Sequence, residues 1–210
     1  MIINYLKDMF KLESIKCKNC GSGLVVELND LVTYCTSCGS GFEIENGELQ
    51  PVEVNFAVAA VRSDGEMVYK PFWLVRTDVD ITKRKASGGF IDKMFGDKPQ
   101  MQFSLNFYIP AFDCDVETMK FLAQTFTAQN PAKSPQKYNA KLTGFVYGKD
   151  DAKKLCEFIL ISFEAEKSDT IKEFEFTMKY NSYEILGIPF YKNANGTMTD
   201  GMYGKTYNIR

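Results

Sequence analysis

Histidine is absent from this chain of 210 residues. That gap excludes Ser-His-Asp and Cys-His nucleophile systems and every histidine-ligated catalytic metal. Cationic charge is also short. Lys and Arg total 25 against 27 acids, a net charge of −2, and no segment is basic enough to form a nucleic-acid footprint. No apolar run approaches the roughly 18–20 residues of a membrane span, and residues 1–15 lack the apolar core and cleavage site of a secretory signal. Gly-rich phosphate loops are missing too. Six cysteines are present, but their spacing fits no disulfide framework, which points to the reducing cytosol. These absences together predict a cytoplasmic protein that is not an enzyme.

Four of the cysteines form two matched pairs. Cys17-x-x-Cys20 and Cys35-x-x-Cys38 are separated by 14 residues, each followed by Gly-Ser. A C-x-x-C turn lets two thiolates chelate one ion, and Gly21 and Gly39 relieve crowding where the backbone folds back on the sulfurs. The interval holds a hairpin, "LVVEL-ND-LVTYC", whose Asn-Asp suits a tight turn. Four cysteine ligands leave no position for water or substrate, so the predicted cofactor is one structural zinc per chain, with iron as the chemical alternative. Matched halves argue against a thioredoxin-like redox pair.

This stretch, about residues 15–50, resembles a zinc ribbon, a zinc-finger class found in transcription, translation and replication. The resemblance implies a fold and a metal but no function. Lys16 and Lys18 face Glu27, Asp30, Glu43, Glu45 and Glu48 within it, an acidic balance that disfavours phosphate. Tyr34 and Phe42 are the only aromatic platforms there.

Around this module the chain divides into a predicted amphipathic helix over 1–14, the ribbon over 15–50, and an α+β domain over 51–210. Ile2, Ile3, Leu6, Met9 and Phe10 fall at helical spacing. Beyond Gln50-Pro51, strand-like runs dominate, interrupted by a polar loop over 82–100 and by two principal helices, "DVETMKFLAQTFTAQN" and "DDAKKLCEFILISFEAE". Asp115 reads as the N-cap of the first. The second carries Ala152, Leu155, Cys156, Ile159, Leu160 and Phe163 on one stripe, with Phe158 and Ile161 off it, predicting burial on more than one side. "KLTGFVY" reads as a strand, and "KEFEFTMKY" and "YEILGIPFY" as two more. The order argues a mainly antiparallel sheet. Prolines in "YKPFW", "YIPAF" and "GIPFY" predict sheet edges or bulges.

Two segments share a Met-Phe amphipathic make-up. The first presents Leu6, Met9 and Phe10. The second, residues 83–98, presents Phe90, Ile91, Met94 and Phe95 beside Lys83, Arg84 and Lys85. Docking to a protein partner is the leading expectation for them, making the chain an adaptor in a larger assembly. An anionic membrane surface is the second and single-stranded nucleic acid the third; the opposing reading packs each segment on its own domain. No small-molecule substrate is evident. The one enzymatic reading pairs Asp78 and Asp80 with Asp113 and Asp115 as carboxylates around a cation, against solvent-facing side chains and a helix cap. Cys156 reads as a small buried hydrophobe, and the acids flanking Cys114 disfavour its thiolate.

Overall fold

The computed structural model describes residues 15–26, 29–85, 90–96, 98–134, 142, 144–165 and 173–209. It is a mixed α+β structure built on one mainly antiparallel sheet, as the order of apolar runs predicts. The strands are β1 (Val32–Tyr34), β2 (Gly41–Glu45), β3 (Glu48–Ala57), β4 (Glu66–Arg84), β5 (Met101–Pro110), β6 (Lys133–Ser134), β7 (Phe174–Lys192), β8 (Met198–Asp200) and β9 (Thr206–Tyr207). The helices are α1 (Phe90–Phe95), α2 (Val116–Gln129) and α3 (Lys149–Ala165). The main path through the sheet is β1-β2-β3-β7-β4-β5, with β6 beside β3 and the β8-β9 pair beside β7.

Long strands β4 and β7 form the spine, antiparallel from Glu66↔Lys192 to Arg84↔Phe174. Their alternation explains the layers. At mid-strand both faces of β4 are buried: Trp73 and Val75 lie with α3's Cys156, Ile159, Leu160 and Phe163, while Phe72 and Leu74 lie with α2's Leu122 and Phe126 and C-terminal Tyr207 and Ile209. Toward Arg84 only one face is covered. There Val79 and Ile81 are buried, whereas Arg76, Asp78 and Thr82 face solvent, the half-buried alternation of an antiparallel sheet.

Strand β3 joins the cysteine module to this spine. Its first half pairs antiparallel with β2, from Glu45↔Glu48 to Gly41↔Val52. Its second half pairs parallel with β7, from Glu53↔Glu184 to Phe56↔Gly187. Residues 51–53, where the sequence changes texture, lie inside this continuous strand.

The structure corrects several local expectations. "KEFEFTMKY" and "YEILGIPFY" belong to the single strand β7; Asn181-Ser182 between them makes no turn, and the extra residue is taken up as a register shift against β4 at Arg76/Thr77. Residues 144–147 of "KLTGFVY" are not strand; they hold Trp73, whose indole N–H donates to the Tyr147 carbonyl at 2.8 Å, and Leu142 makes an isolated bridge to Tyr69. The expected 82–100 loop contains the end of β4 and helix α1. Phe158 and Ile161 are about 40% exposed, so α3 buries a single stripe. Pro71 and Pro189 sit in central strands rather than edges. The Pro71 carbonyl accepts from Ala111 N–H and that of Pro189 from Gly201 N–H, so each missing donor faces a side where the regular ladder has ended.

Helix α2 begins as predicted. Asp115 accepts from the Thr118 backbone N–H at 2.9 Å and from its hydroxyl at 2.7 Å, and these bonds hold its carboxyl below the usual range. Asn130, left-handed at φ 46, closes the other end. Asp115→Ala is expected to lower the urea-unfolding midpoint by removing this cap; an unchanged midpoint would show the cap to be dispensable.

Candidate metal centre

Two turns of identical design build the site. In the first, Gly21 N–H donates to the Cys17 carbonyl and Cys17 N–H to that of Ser22; in the second, Gly39 donates to Cys35 and Cys35 to Ser40, with all four bonds 2.8–2.9 Å. Gly21 and Gly39 have φ of 75° and 74°, a region in which a Cβ would be strained. Each turn thereby aims two sulfurs at a common point.

All four sulfurs lie within 4.8 Å of one another. Cys17 and Cys38 approach to 3.6 Å across the two turns, as do Cys20 and Cys35. A tetrahedral ion with bonds of about 2.3 Å to sulfur sets its ligands about 3.8 Å apart, so the cage needs little adjustment to close on one. Among the described residues this is the only group of three or more metal-ligating side chains. Cys17 and Cys35 are buried over Phe42 and Leu49, while Cys20 is exposed and Cys38 intermediate.

Charge is unevenly placed in the cage. Burial pushes the Cys17 thiol up to about 11. Hydrogen bonding to the Ser40 side chain, aided by Asn19, brings Cys38 down to about 5, and Ser22 lowers Cys20. The Ser40 hydroxyl and Cys38 sulfur are 3.2 Å apart, and Asn19 Nδ2 donates to that hydroxyl at 3.1 Å. Ser22 and Ser40 are therefore working parts of the knuckles. The repeated Gly-Ser after each pair is their signal in the sequence. Asn19 carried none, because its partner lies in the other turn.

The module is fastened to the sheet. Val32 and Tyr34 are buried in the main core, and the Tyr34 ring meets Phe56 edge-on at 5.6 Å. Leu31 N–H donates to the Phe145 carbonyl, and Phe145 N–H to the Asp30 carboxylate. Glu43 accepts from Lys149 N–H at the start of α3 at 2.8 Å, placing an anion at the positive end of the helix dipole. The adjoining cleft of about 520 Å³ includes Glu43, Glu45, Asp150 and Asp151 in its lining, a surface that repels phosphate.

Of the expected contact residues, Leu6, Met9 and Phe10 lie outside the described residues, as does the side chain of Phe90. Ile91 is buried in the main core, and Phe95 stacks on Phe103 at 4.0 Å. Arg84 is buried, paired through Nε to Glu164 at 2.8 Å and also to Asp92 of α1. These contacts hold α1 on its own domain. Lys83 and Lys85 are about half exposed or more and pair with Glu173, Lys83 also with Glu175; Met94 is 42% exposed.

The four aspartates separate. Asp78 and Asp80 share the open sheet face, Asp78 receiving Asn181 and Ser104, which hold its carboxyl below the usual range, and Asp80 receiving Gln102. Asp113 and Asp115 follow the far end of β5 at the start of α2. Burial and then the neighbouring acids push the Cys114 thiol up to about 12, and burial raises Cys156 further.

Comparison of the chain with family models, with curated proteins and with solved structures finds no match. The likeness to a zinc ribbon therefore rests on the two knuckles; the expected 24–34 hairpin is not formed among the described residues, where 24–26 are in no strand and β1 pairs instead with β2. Among the described residues no helix is long and apolar enough to cross a membrane.

Proposed function

We propose that the protein is a non-enzymatic cytoplasmic adaptor, a scaffold for protein–protein contacts within a larger assembly, stapled by one structural zinc ion per chain. The observation that carries this reading is the closed cage. Four cysteine sulfurs within 4.8 Å of one another fill a tetrahedral ion's coordination and leave no site for substrate or activated water. Zinc is preferred because it takes a tetrahedral thiolate shell without redox chemistry.

The ion's role is to hold a module too small to fold on its own core. Its reach extends into the sheet through β3, so the outward surfaces keep a fixed relation to the cage. Solvent-facing Lys83, Lys85 and Met94 remain available for contact at the opposite end of β4.

Proximity labelling in the native host tests the reading, comparing wild type with a folded Lys83→Glu, Lys85→Glu, Met94→Ser variant and with a chain lacking residues 1–13. The expected result is one reproducible partner set, at least tenfold depleted in one of the two variants. An identical set from all three proteins would remove the adaptor reading. Elemental analysis separately expects one zinc per chain, and iron in its place would correct the metal alone.

A further inference from the structure

Strand β7 is paired along its whole length by β4, but its opposite side is only partly occupied. There β3 covers Glu184 to Gly187 and β8 covers Phe190 to Lys192. Among the described residues no strand pairs with that side over 174–183. An open strand edge is a row of unused backbone donors and acceptors and a template for another strand.

The chemistry along this edge is self-complementary. Lys85 N–H donates to the Glu173 carbonyl, so odd-numbered backbone groups near this end turn toward β4. By strand alternation, those of Phe174, Phe176, Met178 and Tyr180 turn outward. The same four side chains are half-buried on the α3 side of the sheet, whereas Glu175, Thr177, Lys179 and Asn181 are exposed on the other.

We infer that this edge is a homodimer interface, in which residues 174–180 of two copies pair antiparallel about a two-fold axis at Thr177. That register places Glu175 opposite the second copy's Lys179 twice over. It sets Phe174 against Tyr180 and Phe176 against Met178 on the apolar side. The outward backbone groups fall into hydrogen-bonded pairs, and Thr177 meets its own copy at a non-hydrogen-bonded position. Moving the axis to Met178 loses the charge match, and moving it to Phe176 sets Lys179 against Glu173, which is already paired with Lys83 and Lys85, so the Thr177 axis is favoured over its neighbours. Glu175 is free to serve, since its side chain is 66% exposed and its contact with Lys83 is 3.7 Å long. An isologous contact of this kind closes on itself and gives a dimer rather than a fibre. It stands or falls separately from the adaptor reading.

Sedimentation equilibrium of the full-length, metal-loaded chain tests the inference. Wild type is expected at dimer mass. Lys179→Glu and Glu175→Lys, each placing like charges opposite one another twice per interface, should raise the dimer dissociation constant about tenfold, and the combined E175K/K179E chain should restore it. Circular dichroism confirms that each variant is folded. Thr177→Cys should give a disulfide-linked dimer under mild oxidation, because Cα atoms about 4.5 Å apart at such a position can be bridged, whereas Ser182→Cys should not. A monomeric wild type overturns the inference, as does a dimer indifferent to the single charge changes or not rescued by the double.

Discussion

Replacing Cys35 with serine is expected to release the metal and unfold residues 15–45, with consequences well beyond the module. Cys35 is almost fully buried and supplies one of four ligands, so its loss opens the cage. Val32 and Tyr34 then lose the framework that holds them in the main core. Burial of two such side chains contributes about 3–6 kcal/mol, which in a chain of this size is a drop on the order of 10 °C in the thermal midpoint. Metal removal by a chelator should give the same shift in wild type. A metal-free protein with an unchanged midpoint and an intact β1-β2 pair by hydrogen exchange would show that the knuckles do not staple the sheet.

Acid should release the ion as well. In the metal-free protein burial keeps the Cys17 thiol protonated up to about pH 11, so an ion binding at neutral pH must displace that proton. Apparent affinity therefore rises with pH, by up to about tenfold per unit below 11 from this proton alone. Cys38, down at about 5, adds a further proton of competition only below that value. Metal titration with a colorimetric chelator at several pH values reads the slope, and a flat profile would argue against thiolate ligation.

The second large effect is expected from the buried ionic trio. Arg84 and Glu164 side chains are 1% and 0% exposed, and Asp92 closes the group from α1. Burial works to lower the guanidinium pKa, but hydrogen bonds to Glu164 and Asp92 outweigh it and leave it raised. Glu164→Ala strands a buried cation with one remaining partner and should cost about 3–5 kcal/mol. Urea unfolding measures this, and the hydrogen-exchange protection of α1 should fall with it. Replacing Arg84, Asp92 and Glu164 together by apolar residues of similar volume should recover most of the loss. A single variant as stable as wild type would mean that water reaches the guanidinium.

The metal centre was legible because its grammar is local. Cys-x-x-Cys-Gly-Ser specifies a turn, a positive φ and a pair of converging sulfurs within six residues. Helix α2 was legible for the same reason, with Asp115 and Asn130 marking its ends. Within the 83–98 segment only Phe90–Phe95 is helical, and the composition could not tell which of its side chains lie inside and which outside. That depended on Glu164, eighty positions away from Arg84. Two of the proline motifs, at Pro71 and Pro189, misled similarly, since a missing donor is tolerated in a central strand wherever the neighbouring strand happens to end, whereas Pro110 does close the edge strand β5.

By itself, the sequence determined the four-cysteine cluster, the alternation of each strand, the caps of α2 and the exclusion of histidine chemistry, all set by residues within a turn or two of each other. Only the tertiary structure decided that β3 serves the cysteine module and the central sheet at once, that α1 is tied down by buried charge, and that no strand among the described residues pairs with one flank of β7 over 174–183. Those outcomes depend on which strands meet, and strand pairing is settled by the packing of whole faces, which no short stretch of sequence contains.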